Sequence, residues 1–306
     1  HMVKLDKIPK CYFKGIIDVL YTETFSRDNN LRADVSLETI SEAFKLDISK
    51  VYAALSKDLG ITIKSPEQAA TYVNDERYRR FNTLIDKKFN DSVLIELLNC
   101  FETRDDKRIE EIVTDEAAIP TIFEYILGII WYKVSERQGN ILYFIKLSLE
   151  ANLLSKTHAA GGYADIIYEY EACTSYPKHS LLLEATLADG NNQRRMKMEP
   201  VSRHLGDYRI RFNNPFDYSL FVSTYLDKNV ISDFRYRKIT PYTRDEETIT
   251  GMKIISMDTD SLKKIIENKV KYKYLYEVFD KYHEMSLETV NRHDGMTKEA
   301  TGEYKV

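Results

Sequence analysis

Two short runs decide the reading of this chain: Gly161-Gly162-Tyr163-Ala164-Asp165-Ile166-Ile167, and Leu181-Leu182-Leu183-Glu184-Ala185-Thr186-Leu187. Each has the apolar density of a buried strand, and each carries one carboxylate where a core strand should carry none. The 18 residues between Asp165 and Glu184 include Thr174–Pro177, which reads as a hairpin turn. Adjacent strands joined in this way bring the two acids side by side. Like charges at that range repel, and a divalent cation between them removes the repulsion. Hard oxygen ligands of this kind suit Mg²⁺, with Mn²⁺ able to substitute. A structural ion pair with Arg194, Arg195 or His179 remains the alternative on residue types alone.

Working outward, Asp189-Gly190-Asn191 ends the second strand. A polar helix is expected from Gln193 through His204, interrupted or kinked at Pro200. Tyr208–Phe212, Tyr218–Tyr225 and Met252–Met257 read as strands, Phe234–Ile239 as a lid or edge segment, and Ser261–His283 as one long helix. Upstream, the most apolar helix is expected over 121–136 and contains Glu124. A further amphipathic segment runs from Asn140 to Asn152, with Glu150 near its end. Residues 66–115 are polar and helical, with Arg77, Arg79 and Arg80 clustered around Tyr78. Residues 36–60 read as two short helices joined by a tight turn, a helix-turn-helix-like arrangement. That pair supports a rival reading, a non-catalytic DNA-binding regulatory protein.

The 306 residues are 43% apolar and 30% charged, the balance of a globular chain with room for more than one domain. A net charge of −4 argues against a free-standing basic DNA-binding module. It leaves room for a nuclease, whose acidic site offsets basic grooves. Cys11, Cys100 and Cys173 form neither a CxxC pair nor a disulfide framework, so the expected compartment is the reducing cytoplasm. The longest apolar run, near Ile126–Trp131, is too short to span a membrane. His1-Met2 reads as the remnant of a cleaved tag, with the expectation that native sequence is missing upstream.

A strand, a second strand centred on E-x-[KT], and a polar helix form the sequence outline of a metal-dependent nuclease core. More specific features surround it: T-H-A-x-G-G-x-A-D-I before the first strand, then E-x-T-L-x-x-G-x-x-Q-R and E-P-V-x-R-H-L. Over about Asn152–Leu205 this resembles the AlwI family of type II restriction endonucleases. The resemblance implies a PD-(D/E)XK core, an α/β domain with a mixed central sheet flanked by helices and preceded by a helical domain. The expected boundaries are 3–115 for the helical domain, 116–285 for the nuclease domain and 286–306 for a loose tail.

The resemblance also assigns roles. Asp165 stands at the motif Asp and Glu184 at the (D/E), both as metal ligands, with the Ala185 carbonyl as a third. Thr186 occupies the position where the motif has lysine, and a threonine carries no positive charge. Glu199 becomes a candidate extra ligand, and Glu124 the upstream helical glutamate, with Glu150 as its competitor. Gln193, Arg194, Arg195 and Arg203 are candidate DNA contacts, while His204 reads as a hydrogen-bonded structural residue. The implied reaction is Mg²⁺-dependent hydrolysis of phosphodiesters in double-stranded DNA, cutting or nicking at a distance from a recognised site. A transient homodimer or a second subunit would serve double-strand cleavage.

Overall fold

The computed structural model describes residues 65–158 and 164–284, with isolated positions between 50 and 63. Most of the 36–60 helix pair, Gly161-Gly162 and the 286–306 tail lie outside the described residues. The chain forms two compact units, His1–Lys87 with Ser148–Lys156, and Lys88–Leu147 with Thr157–Val306.

In the first unit, α1 (Pro66–Lys88) buries Ala69, Phe81 and Ile85. A small hairpin is made by β1 (Ser148–Leu149) and β2 (Ser155–Thr157). The basic cluster around Tyr78 is partly taken up within this unit. Arg79 forks onto Glu76 at 2.8 Å, and Arg80 donates to the Ala151 carbonyl. Among the described residues no helix is long and apolar enough to cross a membrane.

The second unit opens with three helices, α2 (Asp91–Thr103), α3 (Asp106–Ile112) and α4 (Ile119–Val134), and the single turn α5 (Ile141–Phe144). Then come β3 (Ile166–Tyr170), β4 (His179–Thr186), α6 (Gly190–Phe212), β5 (Tyr218–Ser223) and α7 (Lys228–Tyr236). The hairpin β6 (Tyr242–Arg244) and β7 (Glu247–Ile249) leads into β8 (Ile254–Asp258), α8 (Thr259–Glu267) and α9 (Tyr272–Glu284). The main sheet has the order β3-β4-β5-β8. β3 and β4 are antiparallel, whereas β4, β5 and β8 run parallel. This is a mixed central sheet flanked by helices, as expected, with helical sequence before it.

Parallel strands covered on both faces need continuous apolar sequence, and β4 and β5 supply it: Leu181–Leu183, Ala185, Tyr218, Leu220–Val222 are all buried. Side chains alternate between the two faces. Ile167, Leu182 and Phe221 point to one side, where Val201 and Leu205 of α6 and Val230 and Phe234 of α7 complete a core. The same alternation sends Asp165 and Glu184 to the α6 side. α4 lies against β4, and at Gly128 an added Cβ would come within 3.3 Å of Ile145 and Ile166. That close approach brings the first turns of α4, with Glu124, toward the start of β3.

Several local expectations are corrected. Tyr208–Phe212 is the last turns of α6 and not a strand. α6 runs unbroken through Pro200. Phe234 sits in α7 with Val230 four residues before it, both buried in the core, while Tyr236 and Ile239 beyond it are exposed. Ser261–His283 is two helices, broken by a turn in which Lys269 takes φ +50°.

Beneath the far face of the sheet lies a layer of buried rings. Tyr170 stacks on Tyr272 with centroids 3.9 Å apart. The Tyr170 hydroxyl accepts from Trp131 Nε1 at 2.9 Å. His179, 2% exposed, donates from Nδ1 to the Pro177 carbonyl and receives the Tyr272 hydroxyl at Nε2. Burial lowers the His179 pKa to about 4. A depressed histidine pKa means that the unfolded chain takes up the proton first, so stability is lost as pH falls from about 6.5 toward 4. Asp217, raised to about 6 by burial, acts in the opposite sense across part of that window. Comparison with His179→Gln isolates the histidine. The native protein should lose about 2 kcal/mol more than the variant between pH 7 and pH 5. Parallel losses in denaturant titrations at the two pH values would contradict this.

Candidate functional site

The acids meet where β3 begins and β4 ends. The last pair of the β3–β4 ladder is Ile166 with Leu183. One step beyond it, Asp165 lies across from Glu184, and Asp165 Oδ2 accepts from the Ala185 backbone N–H at 2.9 Å. Both carboxylates are buried, at 8% and 2% exposure, and Glu124 of α4 is buried at 5%. Burial, then the negative charge of Glu184, then that of Glu124, push the Asp165 pKa well above the usual carboxylate range. A buried acid with two acidic neighbours is costly unless cations surround it.

The basic groups that approach this cluster come from α6 and from the segment before β3. His204 Nδ1 lies 2.6 Å from Glu184 Oε1. His158 Nδ1 lies 3.1 Å from Glu124 Oε2, and the Thr121 hydroxyl is 3.0 Å from the ring nitrogens of His158. The hydrogen bond that its ring donates to Glu124 raises the His158 pKa. Lys197 is the cation whose charge draws Asp165 back down. Among the described residues no group of three or more His, Cys, Asp or Glu side chains is arranged as a ready metal-binding set.

The sequence expectations fare unevenly in space. Asp165, Glu184 and Glu124 come together. Glu150 belongs to the other unit and pairs with Lys156 at 2.7 Å. The alternative ion pairs for the strand acids do not form: His179 lies in the aromatic layer, and Arg194 reaches Asn191 and Asp227. Glu199 is not brought to the acid pair. It stands on the exposed side of α6, ion-paired with Arg203 at 2.9 Å. The reason is helical geometry, since residues 197 and 199 point about 200° apart.

Gln193, read as a DNA contact, is fully buried. Its amide nitrogen donates to the Ala188 and Tyr225 carbonyls and the Ser223 hydroxyl, and its oxygen accepts from Asp227 N–H. It therefore fixes the start of α6 against the end of β5. The Thr186 hydroxyl accepts from Ala188 N–H and shapes the same turn. Arg195 is exposed and Arg194 half-buried on the first turns of α6. Sequence reasoning missed Lys197 and the part played by His158. The His158 signal was present in the T-H-A-x-G-G motif.

A mixed sheet whose antiparallel hairpin meets parallel strands, with two buried acids at the junction and a basic helix beside them, matches the outline expected from the sequence. The AlwI restriction endonuclease family matches residues 4–265, and the chain belongs to that family. Its substrate is accordingly DNA and its activity that of an endodeoxyribonuclease of the type II class, a class that generally uses divalent metal ions. No curated protein sequence matches the chain. Among solved structures, the small subunit (R.BspD6I2) of the heterodimeric restriction endonuclease R.BspD6I is similar at 18% identity. That alignment covers 69% of this chain and 99% of that one, with a TM-score of 0.48.

Proposed function

We propose that this chain hydrolyses phosphodiester bonds in double-stranded DNA in a Mg²⁺-dependent reaction, at a distance from the site that is recognised. The observation that carries the reading is the buried Asp165–Glu184 pair with Glu124 beside it. Buried acids set side by side, with Asp165 held protonated more readily than an ordinary carboxylate, are a poor structural device. The carboxylates of Asp165 and Glu184 are hard-oxygen donors of the kind a divalent cation takes, and in that chemistry the residues present fit one. Asp165 and Glu184 would hold it. Ala185 would add its carbonyl, which projects to the same strand edge as the N–H that already reaches Asp165. A cation held there supplies charge stabilisation at the scissile phosphate.

The remaining work falls to this chain's own groups. Water attacks phosphorus, the P–O3′ bond breaks, the water gives up one proton and the 3′ oxygen takes one up. This leaves a 5′-phosphate. His204 fixes the Glu184 carboxylate, and Glu124, held by His158, whose ring in turn meets the Thr121 hydroxyl, closes the site on the α4 side. Arg194 and Arg195 sit on the first turns of α6, where they are available for phosphate oxygens. One such centre cuts one strand, so double-strand cleavage calls for a second copy or a second subunit.

The test is cleavage of supercoiled plasmid with Mg²⁺, Mn²⁺, Ca²⁺ or EDTA. Linear or nicked product with Mg²⁺ and Mn²⁺, absent with EDTA and ligatable without added phosphate, is the expected result. Intact plasmid under every condition, from folded protein shown to bind DNA, would overturn the reading.

A further inference from the structure

We propose that Lys197, projecting from α6, supplies the positive charge that position 186 lacks. The inference rests on the nuclease reading above and deepens it. Thr186 cannot take that part, because it is uncharged and its hydroxyl is engaged by Ala188 N–H at 3.1 Å. Two anchors fix the rotation of α6. Gln193 is locked beneath the start of the helix, and His204 is hydrogen-bonded to Glu184. With about 100° per residue, Lys197 falls about 40° from Gln193 and about 20° from His204. It therefore lies on the strip that faces the acids, one turn beyond Gln193. The neighbouring cations are directed elsewhere: Arg194 to Asn191 and Asp227, Arg203 to Glu199, and Arg195 to solvent.

Lys197 is half-buried, and among the described residues it forms no ion pair or hydrogen bond of its own. Its charge is nevertheless felt by Asp165 and by His158, the partner of Glu124. A flexible ammonium in that position can meet the extra negative charge on the phosphate oxygens as water attacks. It makes or breaks no bond.

Two readouts with opposite signs test this. In Lys197→Met the single-turnover cleavage rate with saturating Mg²⁺ should fall about 10²-fold, the scale of one lost transition-state charge contact. DNA affinity measured with Ca²⁺ should change by less than about threefold, because ground-state phosphate binding does not depend on this contact. By calorimetry without DNA, Mn²⁺ should bind about three- to tenfold tighter, since a competing positive charge has left the acids. Lys197→Arg should keep much of the rate, and adding Thr186→Lys to Lys197→Met should restore part of it. Lys197→Gln repeats the measurement if the methionine variant melts early. A variant that cleaves at the native rate overturns the proposal, as does one whose rate and DNA affinity fall together with Mn²⁺ affinity unchanged. Failure of the unaltered protein to cleave would instead overturn the nuclease reading, and this role with it.

Discussion

Replacing Asp165 with asparagine should abolish DNA cleavage and, in the absence of metal, raise the melting temperature. The two effects share one cause. At neutral pH the native side chain is a buried acid beside Glu184 and Glu124, and burial together with those charges favours its protonated form. A group whose pKa is raised by folding contributes stability below its unfolded value and loses it as pH rises through the folded one. The metal-free protein at pH 7.5 therefore carries that loss. Asparagine keeps an oxygen to accept the Ala185 N–H and offers an amide donor to Glu184. Repulsion becomes a hydrogen bond, with an expected gain of a few degrees in melting temperature. The gain should shrink as pH is lowered, because the native acid then protonates. Cleavage should fall by about 10³-fold or more, equivalent to about 4 kcal/mol of lost transition-state stabilisation. Added Mg²⁺ or Mn²⁺ should stabilise the native protein and leave the variant little changed. An asparagine variant that cleaves DNA at the native rate would remove Asp165 from the site.

This double expectation is half legible in the sequence. A lone acid in each of two strand-like runs singles out Asp165 and Glu184 on residue pattern alone, and their alternation with Ile166 and Leu183 sets their common face. Glu124 is visible as an acid inside an apolar helix, but its distance from Asp165 depends on the close approach at Gly128. What periodicity does not give is the rotation of α6. Tyr208, Ile210 and Phe212 alternate like a strand, yet Tyr208 and Phe212 are also four apart, and their rings pack at 4.4 Å on the helix. Glu199 looks like a ligand because it is an acid in a motif. Two residues of helix turn it away from the pocket and turn Lys197 in. The break between α8 and α9 at Lys269 carries neither glycine nor proline, and its one local signal is Asn268 at the C-cap.

The same geometry assigns a large structural effect to a residue that the sequence placed on DNA. Gln193→Ala should destabilise the protein by about 2–4 kcal/mol, through loss of a fully satisfied buried amide. The native side chain serves four partners: the Ala188 carbonyl before α6, the Ser223 hydroxyl at the end of β5, and the Tyr225 carbonyl and Asp227 N–H between β5 and α7. Alanine leaves the buried Asp227 N–H and Ser223 hydroxyl, and two partly buried carbonyls, without that partner. Gln193→Glu should be no rescue, because it replaces the donor to three acceptors with a buried charge. Since Gln193 also sets where Lys197 and His204 point, cleavage should fall in Gln193→Ala even at temperatures where the variant stays folded. DNA affinity measured with Ca²⁺ should move little, because the side chain does not reach the surface. Denaturant titration and DNA anisotropy on one preparation separate the two roles. A variant of native stability that has lost DNA affinity would return Gln193 to the DNA-contacting surface. A destabilised variant that still binds DNA would fix it as the pin between α6 and β5, the element on which the orientation of the basic groups over Asp165 and Glu184 depends.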